Sequence, residues 1–84
     1  MTHFVYILYS ENKDRYYVGS SSDVETRLQR HNAGATPSTK SGRPWKAVYE
    51  EEYPSKQDAL KRENHIKRMK SRVYIERLID SSVG

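Results

Sequence analysis

HFVYILY at residues 3–9 and YYVGS at residues 16–20 decide the fold. The first is a nearly unbroken β-branched and aromatic run, short enough to be a strand covered on both faces. The polar segment ENKDR at 11–15 reads as a turn, so the two runs form an antiparallel hairpin that closes at Gly19. If Leu8 pairs with Tyr17, then Tyr6 lies opposite Gly19, and Tyr6 and Tyr17 become diagonal neighbours with converging hydroxyls. A slip of one residue would separate them, and the turn alone does not choose between the registers. Gly19 marks either a close approach to the backbone or a bulge.

Downstream, Ser22 and Glu25 have capping-box spacing, which predicts a helix over 23–32 with Val24 and Leu28 on its apolar face and Gly34 as its stop. The segment GATPSTKSGRP at 34–44 is too rich in Gly, Pro, Ser and Thr for regular structure, and Lys40 and Arg43 make it a contact loop. WKAVYEEEY at 45–53 alternates Trp45, Ala47 and Tyr49 against Lys46, Val48 and Glu50, the pattern of a half-buried strand. Ser55 and Asp58 open a second helix that runs to about residue 69. Ser71 opens a third, with Val73, Ile75, Leu78 and Ile79 as its apolar face. The element order is β-β-α-β-α-α, an α+β arrangement.

Eighty-four residues leave room for one small domain, expected to span 1–84. Cysteine is absent, which excludes disulfides, thiolate metal sites and a cysteine nucleophile. No signal-like run or membrane-length apolar stretch is present, so the expected location is the cytoplasm, without membrane contact. Aliphatic residues are few, and seven Tyr, one Trp and one Phe must supply much of the buried area. The net charge of +4 is concentrated in residues 61–77, where Lys61, Arg62, Lys67, Arg68, Lys70, Arg72 and Arg77 face only Glu63 and Glu76. A nucleic-acid backbone would meet such a surface with salt-dependent affinity; a solvated helical face is the simpler alternative.

Two places break the packing rules. Glu63 falls on the stripe defined by Ala59, Leu60 and Ile66, where an ionised carboxylate needs a cation: Lys67 one turn on, an Arg of the first helix, or a metal. On the first helix, Arg27 and His31 flank the Val24 and Leu28 stripe, so both lean toward the sheet. Arg27 could pair with Glu63 or clamp a phosphate, and His31 could equally be a hydrogen-bonded structural histidine.

Val5-Tyr6-Ile7, Tyr17-Val18-Gly19, Arg27, His31 and a late Glu63, in this order, resemble the GIY-YIG nuclease superfamily, and most closely its small stand-alone bacterial members. The likeness covers about residues 3–79. It implies a three-stranded antiparallel sheet flanked by helices, with a catalytic cleft between the sheet and the first helix that the acidic helix closes. It further implies hydrolysis of DNA phosphodiesters with a single divalent cation, Mg²⁺ or Mn²⁺. Under that resemblance Glu63 is the metal ligand, Arg27 holds the phosphate oxygens, and Tyr6 or Tyr17 is the general base with His31 nearby. Gly19 lines the cleft, while Lys40, Arg43, Lys61, Arg62, Lys67, Arg68, Lys70 and Arg72 are the candidate nucleic-acid contacts. The first glycine of the signature is Val5 here, a packing position, and Asn64 is a poor stand-in for a polar partner of Glu63 because adjacent helical residues point about 100° apart.

The leading expectation is a DNA endonuclease directed by substrate shape or by a protein partner, with RNA as a further possible substrate. The alternatives are a non-catalytic nucleic-acid-binding module of the same fold, and an interaction protein whose polar residues form only an ion-pair network.

Overall fold

The computed structural model describes residues 2–83. Met1 and Gly84, part of the expected span, lie outside the described residues. The elements run β1 (His3–Ser10), β2 (Arg15–Ser21), α1 (Val24–Asn32), α2 (Pro37–Lys40), β3 (Trp45–Tyr53), α3 (Lys56–Met69) and α4 (Arg72–Val83). The three strands form one antiparallel sheet in the order β2-β1-β3, as the resemblance implied. The hydrophobic β1 is central, which is why its residues are buried whichever way they point: Val5, Ile7 and Leu8 are fully inaccessible, and Tyr6 almost so.

Alternation along β1 divides the core in two. Val5 and Ile7, with Val18 of β2, meet Ala59 and Ile66 of α3 and the inner residues of α4. Tyr6 and Leu8 point to the other face, where they meet Val24, Leu28, Tyr17 and Trp45. The first helix and the acidic helix therefore cover opposite faces of the sheet. This corrects the expected cleft, in which α3 closes over the side that α1 occupies. Full burial of each such side chain contributes on the order of 1.5–3 kcal/mol.

Several local expectations also change. Asp23, not Ser22, caps α1, its carboxylate accepting from the Thr26 N–H at 3.1 Å. Ser55 caps α3 through the Asp58 N–H, as the sequence predicts. Residues 34–44 hold one helical turn, α2, where an irregular loop was expected; Thr36 is its N-cap and Pro37 opens it. Leu60 and Val73 are exposed at 38% and 58%. The inner face of α4 instead consists of Tyr74, Ile75, Leu78 and Ile79.

The alternation expected in β3 is broken by a register shift: Ile7 pairs with Tyr49 but Leu8 pairs with Ala47, so Val48 is the extra residue of a bulge. Trp45 consequently packs with Tyr6 and Leu8, whereas Tyr49 and Tyr53 pack on the α3 and α4 side. There Glu51 accepts bonds from the Tyr49 hydroxyl, from the Tyr53 hydroxyl at 2.6 Å, and from Arg62 Nε at 2.8 Å and Nη2 at 3.1 Å. Arg62 also donates to the Tyr74 hydroxyl at 2.9 Å.

Burial alone would raise the Glu51 pKa, but the Arg62 and tyrosine bonds outweigh it and hold the carboxyl below its ordinary value near 4.5. A depressed carboxylate contributes stability above its unfolded pKa and loses it as pH falls through the folded one. Glu51→Gln is thus expected to be less stable than wild type by about 1–3 kcal/mol at pH 7. Urea melts of the two proteins should converge as the pH drops below about 4.5.

Candidate active site

The site is built on the α1 face of the hairpin. Leu8 pairs with Tyr17 and Tyr6 with Gly19, so the register that brings the two tyrosines together is the one adopted. Their ring centroids are 6.5 Å apart. Gly19 is needed because the Tyr6 ring lies across it: a Cβ there would sit 2.6 Å from the Tyr6 hydroxyl oxygen. The close approach to backbone foreseen at Gly19 is therefore made by the protein's own tyrosine.

One residue from the end of α1, His31 is 1% exposed and bridges two elements. Its Nε2 lies 3.1 Å from the Tyr6 hydroxyl, and its Nδ1 lies 2.8 Å from Thr39 Oγ1 on α2. The ring also meets Tyr17 edge-on at a centroid distance of 4.8 Å. Burial, then the Arg27 charge, push the His31 pKa below its ordinary value, so the imidazole is neutral at pH 7. Burial, reinforced by Tyr17 and Glu63 and opposed by Arg27, pushes the Tyr6 hydroxyl up to about 12.

The Arg27 charge, from α1, thus lowers the Tyr6 pKa and the Glu63 charge, from α3, raises it, both by less than burial does. Arg27 is half-buried, and its guanidinium makes no hydrogen bond or ion pair among the described residues. Glu63, with a side chain 13% exposed, lies across the edge strand β2. It accepts from Ser20 Oγ at 2.6 Å and from Lys67 Nζ at 2.5 Å. Of the partners considered for Glu63, Lys67 is the one the protein supplies. Asn64 is exposed on the outer side of α3, beside Lys61, Lys67 and Arg68.

Tyr17 is half-buried, and among the described residues its hydroxyl makes no hydrogen bond. It lines an open cleft of about 380 Å³ together with Lys13, Arg15, Ser41, Gly42 and Trp45. The wall of this cleft is the segment that carries α2. Trp45 holds it, donating from Nε1 to the Thr39 carbonyl at 2.7 Å. The Trp45 backbone is in turn gripped by Asn32, which accepts its N–H at 2.6 Å and donates to its carbonyl at 3.0 Å.

The basic candidates fall into two groups. Lys40, Lys61, Arg68 and Lys70 are exposed, and so is Arg43, whose Nε donates to the Lys40 carbonyl at 2.8 Å. Arg62, Lys67 and Arg72 are engaged by carboxylates: Arg62 by Glu51, Lys67 by Glu63, and Arg72 by Asp14 at 2.7 Å and Glu76 at 3.3 Å. Arg62 points away from the Tyr6 face and cannot join a contact surface there without breaking its bonds to Glu51 and Tyr74. Thr39, Trp45, Asn32 and Ser20 were not singled out from the sequence. A Thr-Pro pair with helix-start chemistry at 36–37 was the available signal for α2; nothing local marks Ser20, because its partner lies 43 residues away.

A family model described as the GIY-YIG catalytic domain matches residues 2–76. The chain belongs to the GIY-YIG family. A UPF0213 protein of Staphylococcus aureus strain Mu3 is 43% identical to this GIY-YIG chain over 67 residues, covering 79% of the chain and 80% of that relative. UPF0213 protein SA0446 of S. aureus strain N315 matches to the same extent. A UPF0213 protein from Bacillus halodurans, solved in solution by NMR, is 33% identical, with a TM-score of 0.60 over 95% of this chain and 84% of that one. The GIY-YIG chain is similar to these proteins over most of its length. No described helix is long and apolar enough to cross a membrane.

Proposed function

We propose that this protein is a metal-dependent endonuclease that hydrolyses DNA phosphodiester bonds in the cytoplasm, directed by substrate structure or by a protein partner. The observation that carries this reading is the convergence of Tyr6, Tyr17 and His31 on the α1 face, with Arg27, which has no acidic partner among the described residues, one helical turn before His31.

Glu63 and Ser20 offer only oxygen donors, and no cluster of three acidic or histidine side chains exists among the described residues. That set fits a hard cation such as Mg²⁺ or Mn²⁺ anchored by one carboxylate and otherwise carried by water and substrate oxygens. It does not fit an all-protein cage. When bound, the cation supplies positive charge to the scissile phosphate and the leaving oxygen. Lys67 must release one Glu63 oxygen for the carboxylate to serve as that anchor.

Arg27 clamps the non-bridging oxygens, for which its planar fork suits two acceptors at once. Tyr17, with its free hydroxyl at the open cleft, positions the attacking water. Tyr6 is the buried phenol, bonded to His31. With the Tyr6 hydroxyl pushed up to about 12 and His31 pushed down, moving the proton from one to the other at rest is strongly uphill. The pair therefore rests neutral, with the proton held on Tyr6.

A panel of labelled single-stranded, duplex, flapped and branched DNAs, with an RNA strand alongside, tests this at low salt with Mg²⁺, Mn²⁺ or EDTA. Cleavage is expected only with metal, and Arg27→Lys is expected to slow it about a hundredfold, the scale of removing one oriented donor from a developing oxyanion. A second reading, a nucleic-acid-binding module without turnover, is favoured by one feature: Ser20 and Lys67 already satisfy Glu63. Salt-sensitive binding, unaffected by EDTA and without cutting on any substrate, would select it.

A further inference from the structure

We propose that Thr39 is a positioning residue that fixes the tautomer of His31, keeping the proton on Nδ1 and presenting the Nε2 lone pair to Tyr6. The proposal rests on the catalytic reading only for its effect on rate; the tautomer itself follows from hydrogen-bond accounting.

Thr39 is 1% exposed and held at three atoms. Its N–H donates to the Thr36 carbonyl at 3.1 Å, and its own carbonyl accepts the Trp45 indole at 2.7 Å. Its hydroxyl has one hydrogen, which goes to the Thr36 carbonyl at 3.2 Å. With the hydrogen placed there, only lone pairs face His31 Nδ1 at 2.8 Å and that nitrogen is the donor; the opposite arrangement, Thr39 donating to Nδ1, would put the ring proton on Nε2, which the Tyr6 end disfavours.

The other end of the ring gives the same answer. The Tyr6 hydroxyl, in a residue 2% exposed, has no partner among the described residues except His31 Nε2. If Nε2 carried the proton it would donate to Tyr6, and the phenol hydrogen would be buried without an acceptor, at a cost that makes this tautomer about tenfold or more the rarer. The tautomer fixed by Thr39 is also the only one in which His31 can receive a proton from Tyr6. The support is closed on itself: Thr39 bonds Trp45, Trp45 bonds Asn32, and Asn32 follows His31 in α1.

The test is the side-chain ¹⁵N spectrum of His31 at neutral pH in wild type, in Tyr6→Phe, and in Thr39→Val and Thr39→Ser with and without Tyr6→Phe. Wild type is expected to show Nδ1–H with bare Nε2. In Tyr6→Phe, where Thr39 alone constrains the ring, Nδ1–H should persist; adding Thr39→Val, nearly the same shape without the hydroxyl, should release the population toward Nε2–H, while Thr39→Val alone should lower kcat about tenfold or more with little change in KM. Thr39→Ser should restore both. Nε2–H in wild type overturns the proposal without any variant, as does Nδ1–H that persists when Thr39→Val is added to Tyr6→Phe. If the valine proteins do not fold, the wild-type and Tyr6→Phe spectra still decide. Should no variant cut DNA while the tautomers behave as expected, the catalytic reading fails and the role of Thr39 stands.

Discussion

Gly19→Ala is expected to lower the melting temperature by about 10 °C or more and to slow cleavage at the same time. The added Cβ would lie 2.6 Å from the Tyr6 hydroxyl oxygen, 2.7 Å from Tyr6 Cζ and 3.2 Å from Tyr17 Cε1. None of these is the end of a flexible chain. The Tyr6 ring is enclosed by Leu8, Val24 and Trp45, so it can yield only by moving the hydroxyl off His31. Overpacking of this kind costs about 1–3 kcal/mol, and each kcal/mol is worth roughly 4–8 °C in a domain of this size. Thermal melts measure the first effect, and the His31 ring resonances show whether the Tyr6 bond is lost with it. An unchanged melting temperature would mean that Tyr6 does not lie across Gly19.

Glu63→Ala should abolish metal-dependent cleavage, by about a thousandfold or more, while leaving the protein folded. Losing the one carboxylate able to anchor a cation removes several kcal/mol of charge stabilisation, and 1.36 kcal/mol is a factor of ten. The structural cost is small because the groups left behind are close to solvent: Lys67 is 48% exposed and Ser20 is half-buried. Stability should therefore change by about 1 kcal/mol or less. Cleavage assays with circular dichroism on the same preparations separate the effects. A folded Glu63→Ala protein that still cuts DNA at the wild-type rate would remove Glu63 from the mechanism. One that unfolds would favour the ion-pair network as the reason for the residue.

Most of the fold is legible in the sequence because the strongest signals are local. The β1 run is apolar on both sides, so its central place follows from composition, and the Ser55 cap and Gly34 stop mark helix ends by their own chemistry. The α1 residues Arg27 and His31 and the α3 residue Glu63 stand out for the same reason, as polar groups on apolar stripes. The features that were missed depend on contacts between distant residues. The bulge at Val48 has no residue signature in WKAVYEEEY; it exists because Trp45 and Tyr49 are both taken into cores, on opposite sides of the sheet. The placing of α3 across the sheet from α1 likewise follows from which side of β1 each helix buries, which the order of elements does not encode. Arg62 and Arg72 were read as surface charge because composition counts cations without counting the carboxylates that fold onto them.

The bulge has a consequence for how this chain tolerates change. By reversing the pleat within β3, it gives Trp45 to the face that carries Tyr6 and His31 and Glu51 with its tyrosines to the face behind, so one strand serves two tasks through separate residues. A change at Tyr49, Glu51 or Tyr53 is then felt as altered robustness of the sheet, while the face that carries Tyr6 and His31 keeps its own residues.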